Sequence, residues 1–229
     1  MSALVVVANP DDEVLGCGGT ISRLSSAGED VHVLLMSGDV GARMRRPDDD
    51  ALDADIRAAQ QTLGISSVTK GPFPNIRMNS VDHLDLVQFV EEAIRATAAQ
   101  WVFTHHPHDL NDDHRQTSIA AQAASRLHQR GNGGTALKGL FFMEVLSSTD
   151  WQFGGTARAF EPTSFVEIGQ DGLDAKVAAL DCYRDVMRAY PHPRSEKSLR
   201  ALATLRGSES GMNHAEAFQI AHLDLGSAL

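Results

Sequence analysis

Residues 5–20 read VVVANPDDEVLGCGGT: an apolar β-branched run, a turn holding three consecutive acids, then a glycine-rich segment. The order of these pieces decides the fold. Leu4 to Val7 has the character of a buried strand, and Val14 to Ala27 reads as a helix that Gly28 stops. A strand feeding directly into a helix is the opening unit of a parallel α/β sheet. A turn needs one aspartate at most. Asp11, Asp12 and Glu13 repel one another at the end of a strand, so they point to a cation to be bound or a proton to be moved.

Working outward, Val31–Met36 predicts a second strand, and Leu52, Ile56, Ala59 and Leu63 repeat at helical spacing behind the acids Asp48–Asp50, which suit a solvated helix start. A helix over 81–99, a strand over 101–104, a helix over 114–130 and a strand over 139–145 continue the alternation. Residues 164–168 predict a last strand, followed by helices over 172–189, 195–206 and 214–222. The pattern calls for an α/β, Rossmann-like fold: a mostly parallel sheet with helices on both faces, in one domain over 1–229.

Composition narrows the partners. The chain has 229 residues, 42% apolar and 22% charged, with a formal net charge of −10. With no basic stripe, nucleic acid is not an expected partner. Cys17 and Cys182 stand far apart, so neither a thiolate zinc site nor a disulfide framework is signalled. The apolar run at Ala3–Ala8 is too short for a signal peptide, and no stretch approaches the ~20 apolar residues that cross a bilayer. The expected location is the cytoplasm, without membrane insertion, and self-association into a homo-oligomer is left open.

Sites in open α/β sheets form beyond the carboxyl ends of strands. Three such ends are polar here: Asn9–Glu13, Ser37–Arg46 and HHPHDLNDDH over 105–114, the densest. Four histidines and three aspartates in ten residues on that edge point to a metal or acid–base site. A dinucleotide loop is disfavoured, and a nicotinamide dehydrogenase with it. GCGGTI places Ile21 where the third glycine of G-x-G-x-x-G belongs, NPDDE separates it from the strand, and three carboxylates would repel a pyrophosphate. The glycines are better read as letting the helix pack closely on the sheet.

Together, NPDDEVLGCGGT (9–20) and HHPHDLNDDHR (105–115) resemble the LmbE/PIG-L-like N-deacetylases, a Rossmann-like family of zinc-dependent amidohydrolases acting on acetamido groups of amino sugars and glycoconjugates. FPNIRMNSV (73–81), FMEVLSSTDW (142–151), AYPHPRS (189–195) and LATLRGSESGMNHAEAF (202–218) extend the likeness over nearly the whole chain. The resemblance implies Asp11 as general base, Asp12 and His114 as zinc ligands, and a small N-acetylated sugar or glycoconjugate as substrate. Where family members use a further histidine, three residues before the ligand histidine, this chain has Asn111, and His192 is the candidate instead. Arg43 and Glu144 are candidates for sugar hydroxyls, Asp109 for orienting a ligand histidine, Glu13 for supporting the metal shell, and His106, on the substrate side, for a standby metal arm together with His108. Trp101 and Trp151 read as packing residues.

The departures carry their own expectation. Asn9 stands where the family has its first zinc-ligand histidine, and a neutral amide oxygen suits harder cations such as Mg²⁺ or Ca²⁺ better than zinc. In the loop resembling the family's PDNR segment, Asn75 and Asn79 replace acids and Ile76 a polar residue. The sequence therefore predicts a metal-dependent deacetylase with weakened zinc binding. The alternative is an impaired family member, by nature or by engineering at Asn9, that binds a sugar or nucleotide-sugar.

Overall fold

The burial of the first strand sets the layers. In the computed structural model, which describes residues 1–38, 40–41, 47–131, 135–153 and 158–226, β1 (Ser2–Val7) turns Ala3, Val5 and Val7 into one hydrophobic core and Leu4 and Val6 into another. A strand apolar on both faces belongs inside a sheet covered on both sides. The chain continues through α1 (Asp12–Ser26), β2 (Asp30–Leu35), α2 (Asp49–Leu63), β3 (Ser67–Lys70), α3 (His83–Thr97), β4 (Trp101–His105), α4 (Asp112–Ala124) and β5 (Gly139–Met143). It ends with β6 (Ser164–Glu167), α5 (Gly169–Asp181), α6 (Glu196–Ser210) and β7 (Ala215–Leu223). Among the described residues the strands form one sheet in the order β3-β2-β1-β4-β5-β7-β6. The first five are parallel, and β7 runs antiparallel between β5 and β6. Leu15 and Ile21 of α1, Leu52 and Ile56 of α2 and Leu180 of α5 fill the core on one face; Leu86 and Val90 of α3 and Ala120 and Ala124 of α4 fill the other. This is the Rossmann-like α/β architecture expected from the alternation of strands and helices.

The glycines of α1 do what close packing requires. A Cβ on Gly16 would lie 2.2 Å from Met143 Sδ, and one on Gly19 would lie 2.7 Å from Ile168 Cδ1. Between them Cys17 leaves helical geometry (φ −150°, ψ 27°), so the helix restarts with unsatisfied N–H groups. Glu216 accepts from Gly19 N–H at 3.0 Å and Thr20 N–H at 2.7 Å, and Lys176 Nζ balances that buried carboxylate at 2.6 Å. At the start of α2, Asp48 Oδ1 caps Ala51 N–H at 2.8 Å with Asp49 and Asp50 in the first turn, a solvated helix start as the sequence suggests.

The structure corrects two elements. Residues 214–222, expected as a helix, form β7. Alanine and glutamate favour helix locally, but Glu216, Phe218 and Ile220 alternate with Ala215, Ala217 and Gln219, and pairing to both β5 and β6 overrides propensity. The expected helix over 172–189 ends at Asp181, where Cys182 and Tyr183 donate to the carbonyls three residues back and Asp185 takes a positive φ of 59°. The segment after it is a loop. β3 was not anticipated, because its four residues are half-buried or exposed and bear no apolar pattern. No helix among the described residues is long and apolar enough to cross a membrane.

Candidate metal and catalytic site

The chain leaves β1 toward β2 and β3, then returns to β4 on the opposite side of β1. The crevice beyond the ends of β1 and β4 is therefore the topological switch point, where open α/β sheets place their sites. Both of the polar segments singled out by sequence, Asn9–Glu13 and His105–His114, converge there.

At its centre is a buried chain of alternating charge. His114 Nε2 lies 3.2 Å from Asp12 Oδ2, and His114 Nδ1 lies 3.2 Å from Asp109 Oδ1. Asp109 is itself fixed by the hydroxyls of Ser148 and Thr149, the latter at 2.7 Å. Burial works against both charged partners, yet the two carboxylates raise the His114 pKa to about 10, and His114 holds Asp12 well below the ordinary carboxylate range. His105, the last residue of β4, stacks on His114 with ring centroids 3.8 Å apart and planes 18° from parallel. Burial, then the charge of His114, push His105 down to about 3, so its imidazole is neutral. Ala8 N–H donates to its Nε2 at 2.9 Å, while its buried Nδ1 finds no partner among the described residues.

The backbone of the first turn is built around these groups. Asn9 N–H donates to Asp12 Oδ2 at 2.9 Å. The side-chain oxygen of Asn9 accepts from Asn75 Nδ2 at 2.5 Å, across 66 residues of sequence. Asp113 holds the Asn75 loop from below, accepting from Ile76 N–H at 2.5 Å and Met78 N–H at 3.0 Å. Asp11, the residue before α1, sits at φ 94°, a conformation that costs a non-glycine residue of order 1–3 kcal/mol and is characteristic of functional sites. Arg194 Nη1 approaches Asp11 Oδ2 at 3.4 Å while its Nε donates to Ser147 Oγ at 2.6 Å.

Glu13 answers part of the question raised by three adjacent acids. It accepts from Asp11 N–H at 3.1 Å and meets the Tyr183 hydroxyl at 2.5 Å. Burial, reinforced by Asp11 and opposed by Tyr183, raises its carboxyl from 4.5 to about 8. At neutral pH it is protonated, which leaves two charges rather than three in the turn. Because the folded value is raised, its stabilising contribution is complete below about 4.5 and is lost as pH rises to about 8. Metal-free protein should therefore lose stability across that window, on the order of a few kcal/mol. Glu13→Gln should flatten this dependence in denaturant melts taken from pH 5 to 8; an unchanged slope would count against a proton on Glu13.

Other candidates sit at varying distance from this centre. His106 is buried, with Phe142 and Phe160 edge-on to its ring at 6.2 and 5.8 Å, and its Nδ1 accepts from His108 N–H at 3.3 Å. Half-buried His192 accepts from Arg194 N–H at 3.0 Å and packs against Trp151, which is 47% exposed. Glu144 is engaged by Arg206 through two bonds of 2.7 Å. Arg43 lies outside the described residues. Trp101 stacks on Phe141 at 5.5 Å, a packing role. His105, Tyr183 and Arg194 escaped the sequence reading. His105 had a usable signal, its place at the carboxyl end of a strand; Arg194 lay two residues beyond the histidine chosen from PHPRS.

Asp12, His105 and His114 each offer a ligand atom within 4.8 Å of the other two, and all are buried. A carboxylate and two imidazoles form a donor set suited to zinc. Asp109 behind His114 is the outer partner that orients a ligating imidazole. His105 joins such a set only by exchanging its Ala8 hydrogen bond, since its Nε2 lone pair is already engaged. The residues fit a divalent cation with two arms in place and the third contested.

Comparison with known proteins gives the family and the fold. The profile of the family described as PIG-L, GlcNAc-PI de-N-acetylase, matches residues 4–125. No curated protein matches the chain. Among solved structures, the conserved protein TT1542 of Thermus thermophilus is 24% identical, with 97% of this chain and 96% of that one covered and a TM-score of 0.79. The 4-carboxy-2-hydroxymuconate hydratase GalB of Pseudomonas putida is 21% identical over 97% of both chains, TM-score 0.73. The N,N'-diacetylchitobiose deacetylase of Pyrococcus horikoshii is 18% identical over 96% of this chain and 83% of that one, TM-score 0.70.

Proposed function

The chain belongs to the PIG-L family, and from that premise we propose that it hydrolyses the N-acetyl amide of an amino sugar or small glycoconjugate in the cytoplasm. The observation that carries this reading is the placement of Asp11 beside the buried Asp12–His114–Asp109 chain at the switch point. Asp12 and His114 would hold a divalent cation, with Asp109 fixing the tautomer of His114. When bound, that cation supplies Lewis-acid polarisation of the amide carbonyl and a more acidic water. Asp11 takes the proton of the attacking water and returns it to the departing amine. Arg194, 3.4 Å from Asp11 and anchored on Ser147, holds the carboxylate in place.

A second reading, an impaired member that binds the sugar without turning it over, is favoured by the bond between Asn9 and Asn75. One experiment separates the two. The native protein is expected to carry substoichiometric zinc and to release acetate slowly from N-acetylglucosamine-type substrates. Asn9→His should raise both. Elemental analysis with acetate release on both forms decides: zinc gained without acetate release on a broad panel favours the binding reading. Acetate is also the product that a hydratase of the same fold would not release.

A further inference from the structure

We propose that Asn75 is a positioning residue for the metal site: it fixes the side chain of Asn9, so that the ion-binding capacity of position 9 is set by the two positions jointly. The inference rests on the reading that Asp12 and His114 hold a cation. Asn9 and Asn75 are both buried, and the amide N–H of Asn75 is spent on the only strong acceptor of the Asn9 side chain, at 2.5 Å. An amide oxygen that already accepts a short hydrogen bond is a poorer donor to a cation. Asn75 is not free to move aside, because Asp113 anchors the backbone N–H groups of Ile76 and Met78 just after it, and Asp113 adjoins the ligand His114 in α4. The Asn9 backbone in turn donates to Asp12 Oδ2. The amide pair is thus wired to both firm arms of the site.

The same geometry dictates what an imidazole at position 9 would meet. Its outward N–H would face Asn75, whose amide oxygen can accept after a flip but as a neutral group. A carboxylate there would accept as an anion, the outer-partner arrangement whose loss costs ~10–100-fold in metal affinity. Positions 9 and 75 should therefore be strongly non-additive.

The test is a double-mutant cycle read as zinc affinity, by competition with a chromophoric chelator, independent of turnover. Asn9→His alone should tighten zinc about 10-fold, and Asn75→Asp alone by less than about 3-fold; together they should exceed the product of the two by about 10-fold or more. Asn79→Asp is the control, adding the same charge at an exposed position of the same loop, and it should show no such excess with Asn9→His. If the Asp variant fails to fold, Asn75→Ala replaces it and should weaken zinc binding in the Asn9→His background. Additive effects, or equal effects of Asn75→Asp and Asn79→Asp, overturn the proposal while leaving the metal site intact. No zinc gain from Asn9→His in any background overturns the metal-site reading and this proposal with it.

Discussion

Asp11→Asn is expected to lower amide hydrolysis by ~10²–10⁴-fold, the usual contribution of a general base, with zinc content unchanged. The carboxylate reaches the site from a left-handed backbone position, φ 94°, which asparagine tolerates as well as aspartate. The turn should therefore keep its shape: Asp11 N–H still donates to Glu13, and its carbonyl still accepts from Val14 and Leu15 N–H. What disappears is the acceptor of the proton. Arg194 loses its ionic partner but retains Ser147, so its side chain stays placed. Acetate release under saturating zinc, alongside zinc stoichiometry, isolates the effect. Turnover equal to that of the parent would remove Asp11 from the mechanism, and loss of zinc would make it a ligand rather than a base.

How much of this was legible in the sequence depends on the range over which each feature is determined. β1, α1 and the acidic turn between them are local: a β-branched run, repelling acids and glycines follow one another within the stretch 5–20, and the parallel sheet follows from their order. The edge carrying Asp12 and His114 was readable for the same reason. β7 was not, because its state is decided by β5 and β6 rather than by its own helix-favouring alanines. The partners of the site were hidden by distance: Tyr183 meets Glu13 across 170 residues and Arg194 meets Asp11 across 183. Asn9 was visible as a departure, but its bond to Asn75 belongs to the fold. His105 illustrates a different failure. It was one of four histidines within ten residues, and only the end of β4 distinguishes it from His106 and His108 by turning its ring onto His114.

His114→Ala should remove zinc and activity together, and destabilise the metal-free fold as well. Among the described residues His114 is the imidazole nearer Asp12, at 3.2 Å against 3.6 Å for His105, and Asp109 sets its tautomer from behind, so its loss should weaken zinc by more than the ~10–100-fold that an outer partner is worth. His105 is poorly placed to compensate, because its ring runs parallel to the missing one and its Nε2 serves Ala8. The structural cost arises separately. Asp12 and Asp109 are buried carboxylates that share His114 as counter-charge, and breaking a buried pair by removing one partner costs about 3–5 kcal/mol. His114→Asn divides the two effects: a side-chain amide can still donate to one carboxylate, so part of the lost stability should return, while zinc and turnover should not. Melting curves with and without zinc, for parent and both variants, provide the readout. Full zinc occupancy in His114→Ala would show that the cation is held elsewhere, and an unchanged metal-free melting temperature would show that the Asp12–His114–Asp109 chain carries no charge to lose.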